Sequence, residues 1–297
     1  MKLNKFSKIC NIHHADWDGK NANLVLLNYF EHVTSVPATF SNVDKILLET
    51  KFEEYDKVIL TDIFPKDPEV LNISKKILVL DHHQESSKLC NMNNIFAFTD
   101  NCGAVLTKNW VEATFNVDLS HLNLLLKYTN DYDLWIHNHP KSKMLEILFW
   151  KYLKQGKTGF DKYAERFKDG NVRFTDDEIK YLKHKRFEFR KLYDNLEVFE
   201  LEKINGCIIC VKEFINDIAD KLLKKDGYEI VIIQNVNNSH VSIRTKDDNV
   251  NIGEVLQNLE IGGGHRKSGG ITDYFKFKED VSKLEKYLYE NVTSWRK

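Results

Sequence analysis

Short apolar runs that end in polar residues alternate with amphipathic segments through the first half of the chain. Four of these runs have the composition of strands: KFSKICNIHH, YDKVILTD, KKILVLDHH and NIFAF. Between them lie segments with helical character, such as NANLVLLNYF and GAVLTKNWVEATF. This alternation predicts an α/β domain with a parallel sheet and helices on both faces. In such sheets, ligands bind outside the carboxyl ends of the strands, where the polar residues of this chain fall.

The second half of the chain has a different texture. The segment TDDEIKYLKHKRFEFRKLYDNLEVF predicts a long helix that begins with a capping box of Thr175 and Glu178. Beyond it, GCIICV, YEIVIIQNV and HVSIRT predict strands, FINDIADKLLKKDG and NIGEVLQNL predict helices, and DYFKFKEDVSKLEKYLYENV predicts a strand followed by a helix. We therefore predict a large domain over residues 1–170, a helical connector over 171–203 and a smaller α/β domain over 204–297.

Charge and composition narrow the class of protein. The 297 residues are 42% hydrophobic and 29% charged, which fits a globular chain with an apolar core. With 43 basic and 44 acidic residues, the chain lacks the overall positive charge expected for wrapping long nucleic acids. The long predicted helix carries Lys183, Lys185, Arg186, Arg190 and Lys191, which could contact nucleic acid. Its alternating charge instead favours a solvated helix face.

The sequence also indicates where the protein works. No apolar run approaches the roughly 20 residues that span a bilayer, and the N-terminus shows no secretory signal. The five cysteines are spread along the chain, and the Cys207–Cys210 pair lies in an apparent buried strand without a second pair at zinc spacing. We therefore expect reduced thiols and a cytoplasmic protein without a membrane partner.

The first candidate site is the string HADWDG, which follows the first apolar run. Residues two apart in an extended segment point the same way, so His14, Asp16 and Asp18 are expected to converge while His13 packs on the opposite face. One imidazole and two carboxylates suit Mn²⁺ or a similar ion. Asp and Gly are also common turn residues, so this string alone is a weak signal.

Two further candidates follow strands. Asp62 comes directly after YDKVILT, where a lone Asp is usually a cap or turn residue. Asp81, His82 and His83 come directly after KKILVL, and burying three such polar groups at a strand tip is costly unless they have partners. The DHH string is therefore the stronger signal of the two.

Acidic residues also end a helical run at NDYDLW. Asp131 and Asp133 would oppose the helix dipole there and invite a compensating cation, although a simple turn is an equal alternative.

A glycine-rich segment, GGGHRKSGG, lies in the smaller domain. Its glycines would let backbone N–H groups approach an anion closely, and His265, Arg266 and Lys267 would add charge. The preceding strand offers Ser242 and Arg244. The spacing matches neither a dinucleotide-binding glycine motif nor a P-loop.

Together, the motifs HxDxDG, Asp62, DHH, NDYDLW and GGGH resemble the DHH/DHHA1 phosphoesterase family in order and rough spacing, over nearly the whole chain. That family includes RecJ-like single-strand exonucleases, nanoRNases, pAp phosphatases and cyclic-dinucleotide phosphodiesterases. Family II pyrophosphatases share its catalytic domain but lack the GGGH-bearing domain, which argues against pyrophosphate as the substrate. The resemblance implies a parallel-sheet DHH domain followed by a smaller DHHA1 domain.

The resemblance also implies roles for individual residues. Two divalent cations, preferably Mn²⁺ with Mg²⁺ as the alternative, would be bound by His14, Asp16, Asp18, Asp62, His82 and Asp131. Asp62 would bridge the cations, Asp81 would orient its neighbours, and His83 would contact the scissile phosphate. The substrate would be held in the smaller domain by Arg244, Gly263, Gly264 and His265. GGGHRKSGG departs from the GGGGH of many relatives, and the choice between Asp131 and Asp133 stays open.

Three hypotheses follow for function. The first is a phosphodiesterase that hydrolyses short oligonucleotides or dinucleotides to nucleoside monophosphates, with a homodimer left open. The second is a RecJ-like single-strand exonuclease, which would need a basic groove lined with stacking aromatic rings. The third is a nucleotide-binding sensor without catalysis, which the filled ligand positions disfavour.

Overall fold

The computed structural model describes residues 3–89, 94–237, 240–271 and 277–297. The chain divides into two compact units, Met1–Leu182 (unit 1) and Lys183–Lys297 (unit 2). The division falls inside a helix that lies within the predicted connector.

Unit 1 contains a five-stranded sheet that is parallel throughout, with the strand order β2-β1-β3-β4-β5. Its strands are β1 (Lys8–His14), β2 (His32–Ala38), β3 (Lys57–Thr61), β4 (Ile77–Asp81) and β5 (Ile95–Ala97). Every residue of β4 is buried, as is typical of a central strand covered on both faces. Strand β2, a half-exposed edge strand that contains Pro37, was not predicted from the sequence.

Helices cover both faces of this sheet. They are α1 (Trp17–Leu27), α2 (Val43–Glu49), α3 (Gln84–Ser87), α4 (Gly103–Phe115) and α5 (Asn123–Asp133). Two further helices, α6 (Pro140–Leu153) and α7 (Gly159–Phe167), pack with α1 and α5 in a separate core. Short 3-10 turns lie at Phe52–Glu54, Pro68–Ile73, Ser120–Leu122 and Gly156–Thr158. Neighbouring residues of β1 enter different cores, since Ile9 packs with α1 and α4 while Cys10 and Ile12 pack with α2. The predicted α/β class is therefore confirmed.

Helix α8 (Asp176–Tyr193) begins with the predicted capping box. The Thr175 N–H donates to Glu178 Oε2 at 2.8 Å, and the Glu178 N–H donates to Thr175 Oγ1 at 3.3 Å. The helix ends earlier than predicted, because the last residues of the predicted segment form a strand.

Unit 2 contains a mixed six-stranded sheet with the order β10-β11-β9-β8-β7-β6. Its strands are β6 (Val198–Glu200), β7 (Gly206–Val211), β8 (Ile230–Asn235), β9 (Val241–Thr245), β10 (Gly262–Gly264) and β11 (Ser268–Ile271). Among the described strands of this sheet, only β7 and β8 pair in parallel, and the other pairs are antiparallel. The helices that follow α8 are α9 (Ile215–Lys224), α10 (Ile252–Asn258) and α11 (Phe277–Asn291), with a final 3-10 turn at Thr293–Trp295.

The fold of unit 2 agrees with some of the predictions made from the sequence and differs from others. The glycine-rich segment, expected to be a loop, is a hairpin of β10 and β11 joined by residues 265–267. Cys207 is buried in β7 as expected, but Cys210 is exposed. The strand expected ahead of α11 falls on residues 272–276, outside the described residues. Among those described, no helix is long and apolar enough to span a lipid bilayer.

Candidate metal centre

The carboxyl ends of β1, β3 and β4 meet at one edge of the unit 1 sheet. His13 of β1 lies opposite Thr61 of β3, and Thr61 lies opposite Leu80 of β4. The residues that follow these positions are His14, Asp62 and the DHH string. Parallel strands that end in register bring their next residues together, so three of the four predicted acidic motifs share one edge.

The first motif reaches the cluster by a route that differs from the predicted one. His14 is the last residue of β1, but Asp16 caps α1 and Asp18 lies in the first turn of that helix. The expected extended segment is therefore a strand, a turn and a helix start. Gly19 makes this turn feasible, because a Cβ there would lie 2.3 Å from the His14 carbonyl oxygen.

Asp62 lies at the centre of the cluster. Its backbone is left-handed, with φ of 57°, and its N–H donates to Leu80 O at 3.0 Å. A left-handed aspartate is uncommon and is often found at functional sites. Among the described residues of unit 1, three triads place their ligand atoms within 4.8 Å of one another, and all include Asp62: His14–Asp16–Asp62, Asp18–Asp62–His82 and Asp62–Asp81–His83.

The distances between these side chains are short. His82 Nε2 lies 3.0 Å from Asp62 Oδ1, 3.3 Å from Asp133 Oδ2 and 3.9 Å from Asp18 Oδ2. On the other side, His14 Nδ1 lies 2.8 Å from Asp16 Oδ2 and 3.6 Å from Asp62 Oδ2. Asp62 therefore faces one imidazole on each side.

Of the two alternatives in the fourth motif, the structure places Asp133 in the cluster. Asp131 instead accepts hydrogen bonds from the Asn138 N–H at 2.9 Å, the His139 N–H at 3.2 Å and the Ser142 hydroxyl at 2.6 Å, at the start of α6. Residues two apart on a helix point about 200° apart, so the two carboxylates face different surroundings. This geometry replaces Asp131 with Asp133 as the candidate ligand.

The N-terminus of α4 supports Asp18. The Gly103 N–H donates to Asp18 Oδ2 at 2.6 Å, and the Ala104 N–H donates to Asp18 Oδ1 at 3.0 Å. This carboxylate therefore binds N–H groups that the helix leaves without internal partners. The Cys102 N–H donates to Asn130 Oδ1 at 2.8 Å, which joins the same helix start to α5. No sequence signal pointed to these supports, since only the tertiary fold brings them together.

We expect Gly103→Ala to disturb the cluster, because Gly103 lies at the start of α4, the helix that supports Asp18. The added Cβ would lie 2.6 Å from Asp62 Cβ and 3.0 Å from Asp18 Oδ2, so α4 or the carboxylates must move. Overpacking of this kind costs about 1–3 kcal/mol in stability. Misplaced ligands should lower turnover about a hundredfold. Denaturant unfolding and steady-state phosphodiesterase assays would measure the two effects.

Gly156→Ala is the matched control, because it adds the same methyl group where no atom lies within 4 Å. Its φ of 81° makes the substitution cost about 1–2 kcal/mol without touching the cluster. If both variants retained full turnover, the proposed support by α4 would be wrong.

Electrostatics indicate excess negative charge in the cluster. Burial raises the pKa of Asp18 well above its usual range, and the charges of Asp62 and Asp133 raise it further. Burial and the charge of Asp16 likewise raise the pKa of Asp62. Burial alone would lower the pKa of His14, but Asp16 and Asp62 outweigh it and raise that pKa to about 12. The carboxylates thus favour any nearby positive charge.

The residues present fit divalent cations. Asp62 Oδ2 and Asp133 Oδ2 are buried, and beyond their ion-pair contacts with His14 and His82 neither accepts a hydrogen bond from the described residues. Buried carboxylate oxygens are costly without a partner, and a cation would satisfy them. Mixed carboxylate and imidazole ligands suit Mn²⁺, while Mg²⁺ prefers oxygen alone.

His83 is oriented beside this cluster by a buried carboxylate. Its Nδ1 lies 2.8 Å from Asp81 Oδ1, so this nitrogen carries the proton that the carboxylate accepts. Burial would lower the pKa of His83, but the charge of Asp81 and this hydrogen bond raise it overall. The ring of Phe40 lies 5.1 Å from that of His14 and 5.2 Å from that of His83. Phe40 follows the unpredicted strand β2, and no sequence signal pointed to it.

The predicted substrate-binding residues of unit 2 lie on β9 and β10, which flank β11 in the sheet, and at His265. Gly263 and Gly264 are in β10, His265 follows them, and Arg244 of β9 lies opposite Ser268 of β11. The Arg244 guanidinium donates to acceptors that include Ile243 O at 2.9 Å, Asn216 Oδ1 at 2.9 Å and Gly269 O at 3.4 Å.

The hairpin's other charges have structural partners. Lys267 pairs with Asp248 at 2.6 Å, and Arg266 donates to Asp248 O at 2.9 Å. Arg266 and Lys267, which the sequence suggested for anion binding, therefore make contacts that stabilise the hairpin.

No family profile matches the chain, and no curated protein matches it either. Solved structures do. The DHH domain of a member of the s1p family of ribosomal proteins has a TM-score of 0.60 at 14% identity, with 95% of this chain and 87% of that chain covered. The pGpG-specific phosphodiesterase PggH from Vibrio cholerae has a TM-score of 0.52 at 14% identity, with 97% and 99% covered.

RecJ from Thermus thermophilus, in complex with Mn²⁺, has a TM-score of 0.52 at 15% identity. That match covers 95% of this chain and 52% of RecJ. These likenesses establish a DHH-family fold for the chain.

Proposed function

We propose that this chain is a divalent-cation-dependent phosphodiesterase that hydrolyses short oligonucleotides or dinucleotides to nucleoside monophosphates. One observation carries the proposal: Asp62 belongs to three triads of ligand atoms at the carboxyl edge of the parallel sheet. A pGpG-specific phosphodiesterase and RecJ have similar folds, which supports chemistry on phosphodiesters.

In this proposal, six side chains hold two cations: His14, Asp16, Asp18, Asp62, His82 and Asp133. Bound divalent cations would supply Lewis acidity toward a phosphoryl oxygen and an attacking water. Asp62 faces an imidazole on each side and is therefore proposed to bridge. The N-terminus of α4 fixes Asp18, and the turn at Gly19 fixes Asp16.

His83 and Asp81 act as a pair in the proposed reaction. Asp81 holds the Nδ1 proton of His83 and favours the protonated ring, so Nε2 can donate a hydrogen bond to a phosphoryl oxygen as negative charge builds there. The apolar ring of Phe40 packs against His83 and limits water on that side. In unit 2, we propose that Arg244, Gly263, Gly264 and His265 bind a phosphate or nucleotide of the substrate.

A substrate panel tests the proposal. Wild type and His82→Ala would be assayed with pApA, pAp, a cyclic dinucleotide, pyrophosphate and a single-stranded DNA 20-mer, each with Mn²⁺, with Mg²⁺ or with EDTA. We expect wild type with Mn²⁺ to release nucleoside monophosphate from pApA, and no turnover with EDTA or for His82→Ala. Pyrophosphate should remain intact.

The other outcomes distinguish the alternatives. Faster hydrolysis of the 20-mer than of pApA would favour a RecJ-like exonuclease. Tight binding of pApA without turnover under every condition would contradict the proposal and favour a sensor. No feature of the described residues supports the homodimer left open by the sequence, and light scattering during the assay would report the oligomeric state.

A further inference from the structure

Helix α8 carries an exposed stripe of positive charge with one aromatic ring in its middle. The stripe, called here the α8 stripe, consists of Lys183, Arg186, Phe187, Arg190 and Lys191, all in unit 2. These positions follow the spacing i, i+3, i+4, i+7 and i+8, which places them on one face of a helix. All five are exposed, and Phe187 keeps 66% of its surface in contact with solvent.

The structure separates this stripe from the other charges of the helix. Lys185, counted with the basic residues in the sequence, points elsewhere and pairs with Glu188 at 2.6 Å and Glu213 at 3.4 Å. Phe189 also lies on the other side, with its ring 5.7 Å from that of Phe214. This face is solvated, as expected from sequence, and between Lys183 and Lys191 its charged residues are all basic.

The four cations of the stripe have no carboxylate partner among the described residues of the chain. Each of the other basic residues in the second half of α8, His184 and Lys185, pairs with Glu188. The first carboxylate after the stripe is Asp194, directly past the helix end. Four unpaired positive charges within about 12 Å of helix axis favour a ligand with closely spaced negative charges.

We propose that the α8 stripe binds a single-stranded nucleic acid, with phosphates on the four cations and a base stacked on Phe187. Single strands are bound by this combination of basic groups and exposed aromatic rings, because every base has a face to stack. A duplex hides those faces. A membrane-bound helix would need an apolar face along its length, and this stripe has one apolar residue.

Because the strand would be the substrate, this site rests on the proposed function and extends it beyond dinucleotides. The stripe spans about 12 Å, the rise of about three stacked nucleotides in a strand. The two phosphates of pApA are fewer than the four cations of the stripe, so the stripe should matter for longer strands.

The test compares two charge variants of the full chain. Arg186→Gln/Arg190→Gln removes two charges from the stripe, and Lys278→Gln/Lys286→Gln removes two exposed charges from α11 as the matched control. Fluorescence anisotropy in EDTA would measure binding of a labelled 12-nucleotide single-stranded RNA without hydrolysis. We expect about tenfold weaker binding for the stripe variant, and a salt slope lower by about 1.4, since each phosphate contact on a single strand contributes about 0.7. The control should match wild type.

Phe187→Ala tests the stacking contact, with Phe199→Ala, an exposed ring on β6, as its control. Losing one stacked base should weaken binding of the 12-mer by at least about fivefold, and binding of the corresponding duplex should not change. Circular dichroism would verify that all four variants remain folded.

Hydrolysis separates the two proposals. If both hold, the stripe variants cleave pApA as wild type does in Mn²⁺ but show a raised KM for the 12-mer. Equal losses in stripe and control variants, or stripe-dependent binding to anionic vesicles without strand binding, would overturn the stripe proposal while leaving pApA cleavage intact. If neither wild type nor any variant cleaves pApA, the proposed function is wrong. The anisotropy data would still show whether the stripe binds a single strand.

Discussion

Asp62→Asn is expected to lower the turnover of pApA with Mn²⁺ by a thousandfold or more, a loss of about 4 kcal/mol in transition-state stabilisation. The carboxylate is shared by all three triads of unit 1, so its loss weakens every proposed cation position at once. An amide has nearly the same shape but carries no charge. The fold should therefore persist while cation binding fails.

Thermal unfolding measures that distinction. Wild type should gain stability as Mn²⁺ is added, because a ligand that binds only the folded state stabilises it. The gain grows with the logarithm of the Mn²⁺ concentration once that concentration exceeds Kd. The variant should unfold at or above the wild-type temperature in EDTA, since burial and Asp16 disfavour the charge that it removes. It should gain little from Mn²⁺.

Asp169→Asn provides the control, since it makes the same change at an exposed turn after α7. Full activity and full Mn²⁺ stabilisation in Asp62→Asn would exclude a shared metal ligand at this position. A loss of activity that accompanied a strong loss of stability in EDTA would instead indicate a structural role.

The sequence predicted those parts of the candidate centre in which a motif lies at the end of a strand. His14, Asp62 and His82 follow apolar runs whose composition marks them as buried strands, and parallel strands place their carboxyl ends at a common edge. In unit 2, β7 and β8 were predicted from their apolar runs and β9 from its alternation of apolar and polar residues. The short strands β6, β10 and β11 were not predicted.

Other parts of the site depend on contacts between distant segments. Strand β2 is half-exposed and contains Pro37, so its pattern is weak, and Phe40, which follows it, had no signal. The role of Gly103 appears only when its missing Cβ is placed against Asp62, 41 positions earlier in the chain. Local patterns carry no information of this kind.

The α8 stripe shows a related limit. From sequence, Lys185 and Arg186 are equivalent neighbours in a charged segment. In the fold, Lys185 is held by two glutamates while Arg186 is exposed on the stripe. Helical spacing is enough to place the five residues of the stripe on one face. Only the packing of α8 in the fold shows that this face is exposed to solvent.

The choice between Asp131 and Asp133 is the sharpest case, and a pair of substitutions tests it. Asp133→Asn should lower turnover of pApA at least about a hundredfold, because its carboxylate lies 3.3 Å from His82 Nε2 in the cluster. Its stability in EDTA should change little, since burial already disfavours its charge. Activity assays and denaturant unfolding give the two quantities.

Asp131→Asn should show the reverse pattern. Its carboxylate accepts two backbone N–H groups and the Ser142 hydroxyl at the start of α6, and an amide can satisfy only part of that set. We expect a loss of about 1–3 kcal/mol in the free energy of unfolding, with turnover reduced far less than in Asp133→Asn. If Asp131→Asn abolished Mn²⁺ stabilisation while Asp133→Asn retained it, the ligand would be Asp131 and the geometry of α5 at this site would have to differ once cations bind.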